Sequence, residues 1–210
     1  MKKTYQAVLF DFGGVITTSL LKAFRAFGAG LGDEKLPLKL LGNKQSQSAQ
    51  LLAAHEEGRI SAAEFEAGYA RELAEYGVVV EPEGLITRIQ AGLDTDPESV
   101  QLVADLREQG YPVGLLSNSF GDNCYAGYDL DSMFDAVTIS ADIGVRKPSR
   151  KAYQLACEKL GADPGHTVMV DDLQHNLDSA ARLGMAGVLH TQAAATRTEL
   201  EGLLSQPGAR

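Results

Sequence analysis

The residues of this chain that could do chemistry together stand at the ends of apolar runs. Asp11 closes the run in Ala7-Val8-Leu9-Phe10-Asp11-Phe12-Gly13-Gly14-Val15, and two glycines follow it. Ser117-Asn118-Ser119 closes a second run, and Asp171-Asp172 closes a third. Lys147, in Gly144-Val145-Arg146-Lys147-Pro148, follows a fourth. A buried parallel strand cannot carry a charge along its middle, so polar groups at its C-terminal end lie at the mouth of a sheet, where open α/β folds bind ligands. The crevice then holds carboxylates from two strands, a hydroxyl and amide cluster, and a cation. Carboxylates at hydrogen-bond range repel one another and call for a divalent metal. Oxygen ligands without Cys or His favour Mg2+. A metal beside a serine and a lysine suits a phosphate, whose oxyanion they neutralise and orient. Each piece alone has a simpler reading. Asp11 could cap a turn, Ser117 to Ser119 could cap a helix, Lys147 could belong to a solvated basic run, and Asp171-Asp172 could favour a helix dipole. All four in this order, at strand ends, point to one site.

The elements that must position these groups alternate. A first strand precedes a helix-rich stretch reaching about residue 92, too long for a simple crossover and therefore read as an inserted domain. Within it Leu20, Leu21, Phe24 and Phe27 make an apolar helical stripe, the polar stretch Gly42 to Ser48 breaks the block, and a helix ends near Gly58. Ser61 with Glu64 forms a capping box for a helix that buries Phe65, Tyr69 and Leu73 and stops at Gly77. A further helix is expected from about Glu81 to Ala91. Asp96-Pro97 opens a helix running to Gly110. Strands follow at 112–117, 136–140, 166–172 and 186–190, separated by helices at 148–160 and 173–183. Thr196 with Glu199 is expected to cap a last helix, with a frayed tail at 205–210. Strands separated by helices imply a parallel sheet with right-handed crossovers.

The 210 residues allow a core domain with a modest insertion, and 44% apolar against 22% charged is ordinary globular composition. A net charge of −9, from 28 acidic and 19 basic residues, argues against nucleic acid or an anionic membrane surface as partner. Cys124 and Cys157 suggest neither a disulfide framework nor a metal knuckle. No apolar run reaches the roughly 18–20 residues of a membrane span, and Met1-Lys2-Lys3 opens no signal-peptide pattern, so a cytoplasmic protein is expected.

Phe10-Asp11-Phe12-Gly13-Gly14-Val15, Leu116-Ser117-Asn118, Lys147-Pro148, and Val170-Asp171-Asp172 followed by Asn176 and Ala180-Ala181-Arg182-Leu183-Gly184-Met185 resemble the four motifs of the haloacid dehalogenase-like (HAD) hydrolase superfamily. The resemblance covers nearly the whole chain. Gly144 to Pro148 and His55-Glu56-Glu57-Gly58-Arg59-Ile60-Ser61 make it most similar to phosphatase domains of soluble epoxide hydrolases and to glucose-1-phosphate phosphatases. The resemblance implies an α/β fold: a Rossmann-like doubly wound parallel sheet (residues 1–16 and 93–210) with a small helical cap (17–92). It implies Asp11 as nucleophile, Ser117 and Lys147 on the phosphate with Asn118 beside them, and Asp172 as a direct Mg2+ ligand. Asp11 and the backbone carbonyl of Gly13 join the metal, with Asp171 beside it, directly or through water. The substrate expected is a small phosphorylated metabolite such as a sugar phosphate, met by a monomer or homodimer; in the cap, His55, Glu56 and the Gly42–Ser48 stretch are candidate specificity elements, with His55 also readable as a plain helix-end residue.

One position departs from the family pattern. Two residues after the nucleophile a phosphatase of this superfamily carries a second Asp as general acid/base, and this chain has Gly13. A positive φ is expected to hold that glycine there. Two other activities remain open at this point: a halide-displacing hydrolase of the 2-haloacid dehalogenase type, in which Asp11 attacks carbon and needs no acid, and a non-catalytic phospho-ligand binding protein.

Overall fold

The computed structural model describes residues 4–204. In chain order its elements are β1 (Ala7–Phe10), α1 (Leu20–Gly30), α2 (Leu36–Gly42), α3 (Gln47–Glu56), α4 (Ala62–Glu75), α5 (Leu85–Gln90), α6 (Pro97–Glu108), β2 (Val113–Ser117), α7 (Leu130–Met133), β3 (Ala136–Ile139), α8 (Ser140–Ile143), α9 (Arg150–Leu160), a 3-10 turn Pro164–His166, β4 (Thr167–Asp171), α10 (Gln174–Ala181), β5 (Ala186–Leu189) and α11 (Ala193–Leu203). The five strands form one parallel sheet in the order β3-β2-β1-β4-β5. β1, β2 and β4 are buried along their whole length, which is why they read as continuous apolar runs. The chain reverses direction of growth beside β1, between β2 and β4, and a doubly wound sheet opens its ligand crevice at such a switch.

Two apolar clusters sit on the two faces of the sheet. One joins Val8, Phe10, Val113, Val168 and Val188 to α6 through Leu102, Val103 and Leu106. The other joins Leu9, Leu116 and Met169 to α9 and α10 through Tyr153, Ala156 and Leu177. A third cluster belongs to α1–α5, built on Phe24, Phe65, Tyr69, Leu73, Leu85 and Ile89, and Phe120 from the loop after β2 enters it. The two linkers between the helical block and the sheet run side by side: Thr18 N donates to Asp94 O at 2.8 Å, Asp96 N donates to Ile16 O at 2.9 Å, and Thr17 bridges Thr95.

Local signals explain most boundaries. Ser61 Oγ accepts from Glu64 N while the Glu64 carboxylate accepts from Ser61 N, a complete capping box at the start of α4. Asp96 accepts from Glu98 N and Ser99 N and Pro97 takes the first helical position of α6. Several expectations need correction. α11 begins at Ala193, three residues before the expected cap, because three successive alanines already favour helix; Thr196 is buried inside it, its hydroxyl 2.9 Å from His190 Nδ1. α9 starts at Arg150 rather than Pro148, behind Ser149 as N-cap. α5 starts at Leu85, after Gly84 in the left-handed region, rather than at Glu81. Leu21, expected in the apolar stripe, faces solvent at 41% exposure. The expected tail at 205–210 lies outside the described residues. Among the described residues no helix is long and apolar enough to cross a membrane.

Candidate active site

Asp11 stays in the sheet ladder, its N–H donating to Val170 O at 2.9 Å, while its side chain leaves the end of β1. Asp11 Oδ1 accepts from Phe12 N at 2.7 Å and lies 2.7 Å from Lys147 Nζ, which leaves Oδ2 without a hydrogen bond among the described residues. Lys147 Nζ reaches Asp171 Oδ2 at 2.8 Å, and at 1% exposure this ammonium is buried between two carboxylates. Burial opposes its charge, but Asp11 and Asp171 outweigh that cost and hold its pKa above the ordinary lysine value. The lysine is fixed through its backbone too. Asn118 Oδ1 accepts from Lys147 N at 2.8 Å, and Asn118 Nδ2 donates to Lys147 O at 3.1 Å. Asn118 at the end of β2 thus clamps the main chain that delivers the cation, and it also lines the cleft.

The adjacent aspartates have different duties. Asp171 Oδ1 accepts from Leu173 N at 2.9 Å and Asn176 Nδ2 at 3.0 Å, and Oδ2 accepts from Lys147. Its acceptor sites are committed inside the protein. Asp172 has no hydrogen bond from another residue among those described, and its carboxyl lies over Gly14, where a Cβ would run into it. Gly14 has φ +82°, so it is the glycine the turn requires twice over. Gly13 is the reverse of the expectation: its φ is not positive, and a Cβ there would meet nothing within 4 Å.

One oxygen from each of Asp11, Asp171 and Asp172 lies within 4.8 Å of the others. Three hard oxygen donors, one of them with no protein partner, fit a small divalent cation such as Mg2+ and suit no thiolate- or imidazole-seeking metal. Without such a cation the cluster is under electrostatic stress. Burial, then the Asp171 charge, pushes Asp11 up to about 7 against the pull of Lys147, and the same two causes push Asp172 up to about 6.

Two expected site residues take different surroundings. Ser117 Oγ sits at the cleft floor and accepts from Tyr125 Oη at 2.8 Å; Tyr125 packs edge-on against Phe12 with ring centroids 4.9 Å apart. His55 lies at the junction of the helical block with the sheet rather than in the cleft. Its Nε2 accepts from Gly121 N at 2.9 Å, its Nδ1 faces Ile60 O at 3.3 Å, and its ring stacks on Phe65. The same junction holds an ion pair between Arg146 and Glu56, a bond from Ser140 Oγ to Glu56 O, and one from Gln90 Nε2 to Phe120 O. The Gly42–Ser48 stretch serves the block itself: Ser46 caps α3 and Ser48 bonds Glu72. Tyr125, Ser140 and Gln90 had no signal in the sequence, because neither spacing nor residue type marks a loop tyrosine or a lone glutamine as a site residue.

Two predictions follow from this geometry. Gly14→Ala should cost about 1–2 kcal/mol from the left-handed backbone alone, plus displacement of Asp172, whereas Gly13→Ala should leave stability nearly unchanged; urea unfolding of both variants tests this. The second concerns pH. The folded pKa values of Asp11 and Asp172 lie above the unfolded value near 3.9, so the folded chain binds protons more tightly than the unfolded one. Their contribution is therefore most favourable below about pH 4 and is lost as pH rises through about 6 to 7. In chelator, the melting temperature should fall between pH 5.5 and 8, and Asp172→Asn should flatten that slope. Equal slopes would contradict the crowding inferred here.

Comparison with known proteins identifies the family and the fold. Residues 5–184 match the haloacid dehalogenase-like hydrolase family. The chain is 27% identical over 209 residues to the sesquiterpene phosphatase astK of Aspergillus oryzae, covering 97% of this chain and 99% of the fungal one. It is 25% identical to acyl-CoA dehydrogenase family member 10 of Mus musculus over 98% of its own length, and spans only 20% of that protein. Among solved structures, a HAD family enzyme of Bacteroides thetaiotaomicron in complex with magnesium and inorganic phosphate superposes with TM-score 0.65 at 22% identity, over 89% of this chain and 94% of that one, and shares the fold. The chain belongs to the haloacid dehalogenase-like hydrolase family and is a hydrolytic enzyme.

Proposed function

We propose that this hydrolase is a Mg2+-dependent phosphatase that cleaves a small phosphomonoester through an aspartyl phosphate on Asp11, with residues 17–92 as a cap over the core. One observation carries the reading: Lys147 holds Asp11 by one oxygen and leaves the other free, beside an Asp172 with no protein partner. A dehalogenating site has no use for that third carboxylate. The phosphatase relative covering the whole chain supports the same choice.

Asp11 Oδ2 attacks phosphorus and forms the P–O bond of the aspartyl phosphate as the bond to the alcohol oxygen breaks. Water then attacks phosphorus, releases inorganic phosphate and restores the Asp11 carboxylate. Lys147 favours the ionised form of Asp11 against burial and the Asp171 charge, orients it, and offsets the charge of the phosphoryl oxygens. Ser117 Oγ receives a hydrogen bond from Tyr125 at 2.8 Å and donates only a long 3.4 Å bond to Asn118 O, a weak contact that its proton can leave for a phosphoryl oxygen. Asp11, Asp172 and the Gly13 carbonyl, with Asp171 behind them, would hold Mg2+, whose charge would let two anions meet. The alcohol leaves without an acid from position 13, taking its proton from water.

Asp11→Asn should lower hydrolysis of 4-nitrophenyl phosphate by about 10⁴-fold or more while the fold survives. A chelator should silence the wild type, and Mg2+ should raise its melting temperature but not that of Asp172→Asn. Chelator-resistant release of halide from a 2-haloacid would instead establish the dehalogenase reading.

Gly13 generates the next prediction. General acid catalysis is worth about 10²–10⁴-fold, and most for poor leaving groups. The wild type should therefore favour aryl phosphates over alkyl phosphates steeply. Gly13→Asp, for which the turn has room, should narrow that gap. Equal efficiency on both classes in the wild type would mean another residue supplies the proton.

A further inference from the structure

The cleft above Asp11 divides sharply by charge. The charged cluster of the three aspartates and Lys147 adjoins it in sequence at Phe12, Gly13, Ser117 and Asn118, but the residues that line it carry no charge. A small inner cavity of about 40 Å³ has Phe12, Leu20, Leu93, Phe120 and Cys124 among its lining residues, with Gln90 and Thr17 as neutral polar members. It shares Thr17, Gln90, Leu93 and Cys124 with a wider outer cavity of about 260 Å³, whose other lining residues are also uncharged. Gln90 already donates to Phe120 O, and burial pushes the Cys124 thiol up to about 11, which keeps it neutral. The neighbouring cations are engaged: Arg146 pairs with Glu56, and Lys147 with Asp11 and Asp171.

A second anionic group on a substrate would enter this cleft without a partner, and a desolvated, unpaired charge is costly. In the inner cavity beside Phe12 and Gly13 an array of sugar hydroxyls would meet mostly carbon. An apolar chain gains by leaving water. Resting on the phosphatase reading above, we propose that the leaving group is an uncharged, largely apolar alcohol. The substrate is a monophosphate ester of such an alcohol, not a bisphosphate, a phosphorylated carboxylic acid or a sugar phosphate. Leu20 of the cap and Leu93, where the chain returns from the cap to the core, then set specificity by contact with the alcohol. The polar outer cavity admits solvent around its far end.

The test holds the leaving oxygen constant. Hexyl phosphate, 6-phosphonooxyhexanoate and glucose 6-phosphate all release a primary alcohol, so differences in kcat/KM report the walls and not leaving-group chemistry. With Mg2+ present and 4-nitrophenyl phosphate as the reference for intact chemistry, hexyl phosphate should exceed each of the other two by about tenfold or more. Leu93→Lys, which puts a cation on the wall, should shift the ratio towards 6-phosphonooxyhexanoate. Equal or higher kcat/KM for the carboxylate or the sugar in the wild type, with 4-nitrophenyl phosphate turned over, would overturn the apolar assignment and leave the phosphatase reading standing. An unmoved ratio in Leu93→Lys, with 4-nitrophenyl phosphate still turned over, would overturn the assignment of this wall to the alcohol. Failure to hydrolyse 4-nitrophenyl phosphate at all would overturn the phosphatase reading, and the substrate class with it.

Discussion

A buried ammonium flanked by two carboxylates is the interaction on which the rest of this structure depends. Lys147 is 1% exposed, with Asp11 at 2.7 Å and Asp171 at 2.8 Å. Removing Lys147 would strand two like charges in the protein interior, where breaking a buried pair costs about 3–5 kcal/mol, whereas neutralising one aspartate still leaves a matched pair. The surrounding bonds all serve to keep the triad in register. Asn118 holds the lysine backbone, Phe12 N and Leu173 N hold the two carboxylates, and Asn176 braces Asp171 from the side. Four segments distant in sequence are thereby tied together at the C-terminal edge of the sheet. The parallel topology brings those segments within reach, because it delivers every strand end to the same edge.

The helical block is fastened to this edge by polar contacts around one turn of chain. His55 and Glu56, at the end of α3, meet Gly121, Arg146 and Ser140, while Gln90, at the end of α5, meets Phe120. Phe120 carries the coupling further, since its ring joins the block's own apolar cluster against Phe24 and Phe65. The loop after β2 therefore answers to both parts of the molecule. Its first residues, Ser117 and Asn118, face the site, and its next ones seat the block. Placement of the block and placement of Ser117 are thus not independent.

The sheet and the site were legible in the sequence to different depths. Buried parallel strands announce themselves as apolar runs, and a polar residue closing such a run has little choice of location, so Asp11, Ser117, Lys147 and Asp171-Asp172 could be brought to one edge from spacing alone. The division of labour between Asp171 and Asp172 could be taken only from family resemblance, since it depends on which carboxylate the Leu173 amide and Asn176 reach. His55 could be read from sequence either as a specificity element or as a helix-end residue, and only tertiary packing brings to its two nitrogens the backbone groups they meet. Tyr125 was invisible for the same reason: its hydrogen bond to Ser117 depends on how one irregular loop folds over Phe12. Thr196 was taken for a cap on residue type, and a preceding alanine run overrode it.

The two glycines after Asp11 show how little of this logic resides in residue type. Gly14 is demanded by its left-handed backbone and by the Asp172 carboxyl lying over it. Gly13 is demanded by neither, so its lack of a side chain reflects no steric need of the turn. A carboxyl at position 13 would stand at the border between the charged floor and the neutral wall, since Gly13 itself lines the inner cavity with Phe12 and Leu20. There it would bring a proton donor to the leaving oxygen, but also a charge to a surface that otherwise carries none. A glycine keeps the wall uncharged right down to the nucleophile. On the proposed reading, the missing acid and the uncharged wall are two aspects of one arrangement: charge is kept to the phosphoryl group, and the alcohol is left to apolar contact.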